Sequence, residues 1–414
     1  MATCTEHPLD VPVDEEPLVG DITVNDLLLY FAIACTVLAC LSSFAQILRH
    51  ATNYTAPKHQ KQIIRILFMV PVYSISCTCS IRWYTEHVYI AAGYEFYESL
   101  VIAAFYILMC QNIRSEWDEV RKVFNLLTPR KWIMPLRLFH MCFRRSRKGQ
   151  PSDGLKWFNI VTVAVLQFVV VKFFGALAKC ITEAIDVYCA ESNSTQHASI
   201  WIQIVELVSL AIAMIFLLQF YEQIKVALKE QNPLLKLLAI KLVVFLFYLQ
   251  SFIFARLTAS DGALQPTDRI SYPSLAAGLP NAILCFEMLV VSIIHIWAYP
   301  TKPYLVKNVN ARMKQTSYLL SELGPRTRPG FEHYTENSPV VSQGGRFGVL
   351  AFRDALNVTD IVRTIGLAVY WLFVAKRKND SARYDDEFAR RDPANRGEMT
   401  RFRTTDLVEA MGRA

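Results

Sequence analysis

The sequence predicts an all-α membrane protein, a bundle of seven transmembrane helices with an amphipathic helix in its C-terminal tail. Three observations carry this prediction. The 414 residues are 53% apolar and only 19% charged, and their mean hydropathy is +0.25. Apolar runs recur along the chain at lengths near the ~20 residues that a helix needs to cross a bilayer core. Lys and Arg are concentrated in alternate loops, as in multi-pass membrane proteins.

Each of seven apolar runs predicts one span. The first, LLLYFAIACTVLACLSSFAQIL, carries no charge. The second is the weakest by length, and we expect Arg65 and Arg82 near its ends to snorkel to the lipid headgroups. Pro71 inside the second run predicts a break in that helix and a freed backbone carbonyl. The predicted spans are 27–48, 63–83, 88–110, 157–180, 199–221, 237–256 and 278–299.

The loop charges place the N-terminus outside and the C-terminus in the cytoplasm. Residues 1–26 hold seven acids and no Lys or Arg, and loop 181–198 likewise has no Lys or Arg, whereas loop 111–156 has eleven Lys or Arg against four acids. Termini on opposite sides require an odd number of spans, which seven satisfies. The chain therefore divides into an exofacial acidic segment 1–26, a transmembrane domain 27–300 and a cytoplasmic tail 301–414.

Within the tail, the composition distinguishes three stretches. Residues 321–345 are rich in Pro, Gly and Ser and are expected to be disordered, and residues 379–414 are expected to be a solvated end. Residues 352–375 pattern as one amphipathic helix that ends in an eleven-residue apolar run. Such a run is too short to span, and bases flank it, so we expect it to lie along the inner leaflet.

The loops carry three candidate modification sites. Asn193 opens an Asn-Ser-Thr acceptor for glycosylation in the exofacial loop. Cys4 and Cys189 both fall on the exofacial side, where a disulfide between them is one of the alternatives. Cys142 lies in the basic stretch HMCFRRSRK and is either a palmitoylation site or a plain loop cysteine. No Cys-x-x-Cys or His-x-x-x-His pair exists, so the sequence predicts no metal site.

Four ionisable residues are predicted near mid-depth in the membrane: Glu98, Lys172, Glu206 and Glu287. Each costs about 2.5–3.5 kcal/mol at a helix centre, so they should face the bundle interior and be paired. On depth alone, Glu206 and Glu98 are the nearest partners for Lys172. Because one lysine cannot neutralise every acid, at least one carboxyl group is expected to be protonated or held by hydroxyls and amides. The alternative is a purely structural role as polar contacts between helices.

Five stretches of the chain, three of which contain Glu98, Lys172 or Glu287, stand in an order known from one family. They are FMVPVYSISCTCSI (68–81), GYEFYESLVIAAFYIL (93–108), LQFVVVKFFGAL (166–177), LLQFYEQIKVALKEQNPLLKLLAIKLVVFLFYLQSF (217–252) and LPNAILCFEMLVVSIIHIWAYP (279–300). Together they resemble the organic solute transporter alpha / transmembrane protein 184 family, from about residue 27 to 303. One departure is Phe173, which stands where a proline is usual in the family.

The resemblance implies seven helices with an exofacial N-terminus and a facilitated-diffusion carrier of steroid conjugates, sterols or lipids. It implies membrane lipids and a small single-span beta subunit as partners, and a plasma or vacuolar/endosomal membrane as location; a homodimer stays open. It assigns no cofactor. The mid-depth charges and the motif residues of the resemblance together give seven candidate substrate-binding residues: Glu98, Lys172, Glu206, Gln219, Tyr221, Lys241 and Glu287.

A second hypothesis keeps the seven helices but makes the protein a receptor or a membrane scaffold in signalling or trafficking. The long tail favours this alternative, but the third span ends in MCQNIRSE, without a receptor-type arginine motif. An enzyme is not predicted, because the chain has neither a Gly-rich phosphate loop nor a Gly-x-Ser-x-Gly elbow. The basic net charge of +7 reflects loops beside a membrane rather than nucleic-acid binding.

Overall fold

The structure is a computed structural model that describes residues 13–18, 20–114, 116–130, 132, 154–189, 195–225, 253–254, 257, 264–311 and 341–373. Within these ranges the chain is helical, without a β-strand. The helices are α1 (Val24–Thr52), α2 (Pro57–Leu67), α3 (Met69–Arg82), α4 (His87–Ile113), α5 (Trp117–Leu126), α6 (Gly154–Ala184), α7 (Ala198–Ile224), α8 (Leu279–Ala298), α9 (Val349–Leu356) and α10 (Thr359–Phe373).

Six helical segments of the described chain are long and apolar enough to cross a membrane: Val24–Thr52, Pro57–Arg82, Tyr84–Ile113, Gly154–Ala184, Ala198–Ile224 and Ser274–Ala298. They match six of the seven predicted spans. The remaining predicted span, 237–256, lies outside the described residues except for 253–254. The protein is therefore an integral, multi-pass helical membrane protein.

The predicted break in the second span is confirmed. One helix ends at Leu67 and the next begins at Met69, which places Pro71 in the first turn of α3, where a missing N–H costs least. The hydroxyl of Tyr97 donates to the carbonyl oxygen of Arg65 at 2.8 Å, near this break. The backbone at the break is thus partly satisfied from the neighbouring helix α4.

The described spans pack as two units of three helices each. Helices α1, α3 and α8 contact one another, and so do α4, α6 and α7 in sequence, while α3 packs on α4 and joins the two units. An aromatic cluster fills the end of the second unit at the N-terminus of α6, where the ring of Phe124 stacks on that of Phe158 with centroids 4.6 Å apart. The charged residues lie further along the second unit, where α4, α6 and α7 meet.

Helices α1 and α8 run parallel and in a constant register. The ring Nε2 of His50 lies 3.1 Å from the carbonyl oxygen of Tyr299, an offset of 249 residues. At the other end of the pair, Gly278 directly precedes α8 and a side chain there would contact Leu28, an offset of 250. Extended along the pair, this register places the buried residues Ser43, Gln46 and His50 of α1 level with Ser292 and His295 of α8 and with Tyr299, the residue after its end.

Residues 341–373 dock on α1, α2, α4 and α6, with contacts at the C-terminal end of α1. Sequence analysis predicted one helix over 352–375, but the structure has two. Helix α9 ends at Leu356 and α10 begins at Thr359, because Asn357 has an extended backbone and its side chain accepts from the N–H of Thr359 at 3.1 Å. Of the stretch predicted to be disordered, 321–340 lies outside the described residues and 341–345 is docked.

Arg65 holds this docked segment, and the prediction that it snorkels to headgroups is wrong. Its guanidinium is buried and donates to both carboxylate oxygens of Asp360, at 2.6 and 2.9 Å. It also donates to the carbonyl oxygens of Ala355 at 2.8 Å and Asn357 at 2.5 Å, at the C-terminal end of α9. A planar guanidinium can satisfy a carboxylate and a helix end together, whereas an exposed headgroup contact would leave both unpaired.

Candidate functional site: a buried lysine–glutamate network

Two lysines and two glutamates form a closed network between α4, α6 and α7. The Nζ atom of Lys172 lies 2.8 Å from Oε2 of Glu95 and 2.7 Å from Oε2 of Glu206. Lys179 contacts the same two oxygen atoms, at 2.6 and 3.0 Å. Only 2% of the Lys172 side chain is exposed. The Oε2 atom of each glutamate therefore accepts from both ammonium groups. The four formal charges sum to zero.

Helix geometry explains why these side chains meet. Lys172 and Lys179 are seven residues apart on α6, which puts them on one face two turns apart. Helices α4 and α7 both run antiparallel to α6, so Glu95 and Glu206 approach the space between the two lysines. The network therefore ties three helices together at a single point.

Gly175 lies between the two lysines on the same face of α6. A Cβ atom there would be 2.3 Å from Oε1 of Glu206, so any larger residue would displace this carboxylate. The glycine is needed for the close approach of a neighbouring side chain, since its φ is not in the left-handed region. Oε1 of Glu206 is buried and has no hydrogen-bond partner within the described residues.

Glu98 lies one turn from Glu95 on α4 and is held differently. Its Oε2 accepts from the hydroxyl of Tyr73 on α3 at 2.9 Å, while its Oε1 is buried without a hydrogen-bond partner in the described chain. Only 1% of its surface is exposed, and it lies within electrostatic range of Lys172. The expectation that one acid would be held by a hydroxyl thus fits Glu98.

The helix pair α6–α7 that carries the network is further fixed toward the N-terminus of α6. Gln167 on α6 donates through Nε2 to the carbonyl oxygen of Ser209 on α7 at 2.9 Å, and the Ser209 hydroxyl donates to Oε1 of Gln167 at 2.8 Å. At the opposite end, Tyr188 lies beyond the C-terminus of α6 and close to Lys179. Burial raises the pKa of this phenol to about 12 against the opposing effect of Lys179, so the hydroxyl stays protonated at neutral pH.

Among the described residues, the predicted site residues Gln219, Tyr221 and Glu287 do not join the network. Gln219 is buried and Tyr221 partly buried on α7, about 20 Å along the helix from Glu206. Glu287 lies on α8 in the other unit, within electrostatic range of Cys77, and its buried Oε2 has no hydrogen-bond partner among the described residues. Lys241, like the modification sites Asn193 and Cys142, lies outside the described residues.

Residues 28–304 match the profile of the family described as organic solute transporter Ostalpha. The chain belongs to this family. The match contains both three-helix units and every residue of the network, whereas α9 and α10 lie beyond it. No solved structure matches the chain. The Ostalpha family is a solute transporter family, so this is a transporter-like rather than an enzyme-like chain.

Of the two acids predicted as candidate partners of Lys172, Glu206 forms the ion pair, and this prediction is confirmed. Glu98 lies within electrostatic range of Lys172 but is bonded by Tyr73. The second ion pair of Lys172 is with Glu95, one turn nearer the N-terminus of α4, because α4 is antiparallel to α6 and this acid faces the space between the lysines. Lys179 was missed because the predicted span ended at residue 180, where a lysine is expected to be interfacial. The seven-residue spacing from Lys172 was the available signal.

The cysteines of this Ostalpha chain fall into two classes. Cys189 takes part in a disulfide whose partner lies outside the described residues, where Cys4 is the predicted one. The free cysteines in the described part of the chain are Cys35, Cys40, Cys77, Cys79, Cys110, Cys180 and Cys285. No group of three or more His, Cys, Asp or Glu side chains in the described ranges has the arrangement of a metal site.

Proposed function

We propose that the chain carries amphipathic organic solutes, such as steroid conjugates, sterols or lipids, across a plasma or vacuolar/endosomal membrane by facilitated diffusion. Membership in a solute transporter family supports transport as the activity. The observation that carries the proposal for the site is the Lys172–Lys179 pair, buried at the contact of three helices. Two ammonium groups at this depth are energetically costly to bury, so their presence favours a functional role over a purely structural one.

An anionic solute does not find a free lysine here, because Glu95 and Glu206 already neutralise both ammonium groups. The solute head must therefore replace one carboxylate. Glu95 is the one to yield, since 13% of its side chain is exposed against 5% for Glu206. In this mechanism Glu95 acts as an exchangeable counter-ion: it occupies the lysines in the empty carrier and leaves them when the solute binds.

The apolar body of such a solute has a surface beside the lysines. Phe173 and Phe174 follow Lys172 directly on α6 and are exposed, as is Leu177 one turn further on. The ring of Phe173 contacts that of Phe96 on α4, with centroids 5.8 Å apart. An amphipathic molecule in the bilayer can lie on these side chains while its head reaches the network, which suits a mostly apolar site with few polar groups.

Uptake of a labelled steroid sulfate by liposomes that contain the purified chain tests this function. The wild type should take up the solute, and Lys172→Met and Lys179→Met should each reduce uptake at least tenfold. Lys58→Met is the matched control, because this lysine is exposed and pairs with Glu116 at the surface. Uptake that is equal in all four proteins removes the network from the transport site.

If the wild type alone shows no uptake, the assay is repeated with a small single-span beta-type subunit. Absence of uptake under both conditions, for steroid conjugates, sterols and lipids alike, contradicts the carrier and favours the receptor or scaffold.

We further propose seven spans with the N-terminus exofacial and the C-terminus cytoplasmic. Two observations support this topology. Helices α1 and α8 are parallel, yet six crossings from first to last would make them antiparallel, so one more crossing is needed between α7 and α8; the predicted span 237–256 supplies it. The disulfide at Cys189 favours an exofacial loop 181–198, since disulfides persist in oxidising compartments.

A further inference from the structure

Helices α9 and α10 present one face to the bundle, and that face holds the acids of the segment. Asp360 pairs with Arg65 and lies 3.2 Å from Nζ of Lys61. Asp354 accepts from the hydroxyl of Tyr54 at 2.9 Å. These contacts fix the rotation of α9 and α10 about their axes. The face of each helix opposite to its acid therefore points away from the helix bundle.

The outward faces are apolar and basic. On α9 and α10 alike, the exposed positions recur at the spacing of a single helix face, which in a water-exposed helix would be polar. Here it carries large apolar side chains and arginines, with no exposed acid among the described residues of either helix. The exposed apolar residues are Val349, Leu350, Leu356, Val362, Val369 and Tyr370, and the exposed arginines on or next to the helices are Arg346, Arg353 and Arg363.

The segment lies at the level where the membrane spans end. Gly344 and Gly348 pack so closely on Ala51, in the last turn of α1, that a Cβ on either would collide with it. The Ser342 hydroxyl donates to the carbonyl oxygen of Thr52 at 2.7 Å, at the C-terminus of α1. Helix ends of a membrane span lie where hydrocarbon meets headgroups. An outward apolar face at this level therefore meets lipid.

We propose that the outward faces of α9 and α10 bind the lipid leaflet at the C-terminal end of α1, and that this leaflet is anionic. The apolar side chains enter the acyl boundary and the three arginines bind lipid phosphates, each strengthening binding to an anionic surface about fivefold. This docking lies outside the matched family region and does not depend on the transport proposal. The proposed topology enters only in naming the leaflet cytoplasmic.

Depth quenching in nanodiscs tests the lipid contact directly. An environment-sensitive fluorescent amino acid is placed at Val362, and brominated phosphatidylcholine is the quencher. The lipid-exposed Leu48 on α1 is the positive control site, and the exposed Glu116 is the negative one. We expect quenching at Val362 comparable to that at Leu48. Quenching at the level of Glu116 overturns the proposal.

Chymotrypsin cleavage within 341–373 tests the choice of anionic lipid. In nanodiscs with 30% phosphatidylserine, the full-length chain should be cleaved at least tenfold more slowly than in pure phosphatidylcholine. Replacing the three outward arginines by Gln should abolish the difference, while Arg82→Gln, an exposed arginine at the opposite end of the spans, should preserve it. Equal cleavage rates of the wild type in both lipids overturn the assignment of an anionic leaflet. Energy transfer between copies labelled at Val362 would show that a second chain, and not lipid, covers this face, which overturns the proposal.

Discussion

Replacing Gly175 by Ala perturbs the network without removing a charge. The added Cβ would lie 2.3 Å from Oε1 of Glu206 and 3.2 Å from its Cδ. Because favourable contacts between such atoms lie near ~3.5 Å, the carboxylate must retreat by about 1 Å. Its Oε2 now lies 2.7 Å from Lys172 and 3.0 Å from Lys179. A shift of this size takes at least one of these distances out of hydrogen-bond range.

The sign of the effect follows from comparing two contributions. Losing one charged hydrogen bond costs about 1.5–3 kcal/mol. Alanine in a helix interior contributes about 1 kcal/mol of stability relative to glycine. We therefore expect Gly175→Ala to lower the free energy of unfolding by about 0.5–2 kcal/mol. Gly93→Ala on α4 is the matched control, because a Cβ at Gly93 meets no atom within 4 Å and only the favourable propensity change remains.

Thermal unfolding in detergent measures both variants. Gly175→Ala should melt below the wild type, and Gly93→Ala should melt at or above it. Glu206→Asp shortens the acid by one methylene, so the double variant Gly175→Ala/Glu206→Asp should regain part of the loss. If Gly175→Ala proves as stable as Gly93→Ala, Glu206 does not occupy the space beside Gly175, and the network geometry is refuted.

Four further predictions follow from the same contacts. Lys172→Met should lower the free energy of unfolding by about 3 kcal/mol, and adding Glu206→Gln should recover much of it; equal melting temperatures would refute the pairing. Burial opposes ionisation of Asp360, but Arg65 outweighs it and lowers the pKa to about 2, so tail docking should be complete above about pH 4 and weaken towards pH 2; hydrogen exchange of α10 that is unchanged over this range contradicts this. His295→Leu should raise the melting temperature, because both ring nitrogens are buried without partners in the described chain; a lower melting temperature would indicate bound water. Asn193→Gln should abolish the endoglycosidase shift of the wild type, and a persistent shift would place the glycan elsewhere.

The sequence was informative where one residue's chemistry was decisive. A lysine at mid-span predicts an acidic partner from cost alone, and Glu206 is that partner. The proline in the second span predicts the break at Phe68 in the same way. Periodicity did not reveal the role of Gly175, because the need for a small residue arises from the position of a side chain on another helix.

The tail shows a second reason for failure. The sequence predicted that Arg65 lies at the membrane interface. Its actual partner, Asp360, could not be foreseen, because the two residues are 295 positions apart in the chain. A buried partner at that distance leaves no local pattern. The apolar run that follows Asp360 was recognised, but the division into α9 and α10 depends on the single side-chain bond from Asn357. Local signals located these helices, and long-range contacts oriented them.

The parallel pairing of α1 with α8 has a consequence for how the chain is made. Helix α1 leaves the ribosome well before α8, and it carries Ser43, Gln46 and His50 at levels that meet the α8 region only 249 residues later. At roughly 5–20 residues per second, synthesis of that stretch takes on the order of 12–50 s. For this interval α1 lies in the bilayer without α8. We therefore expect products truncated before α8 to leave Ser43, Gln46 and His50 less well covered than the complete chain does.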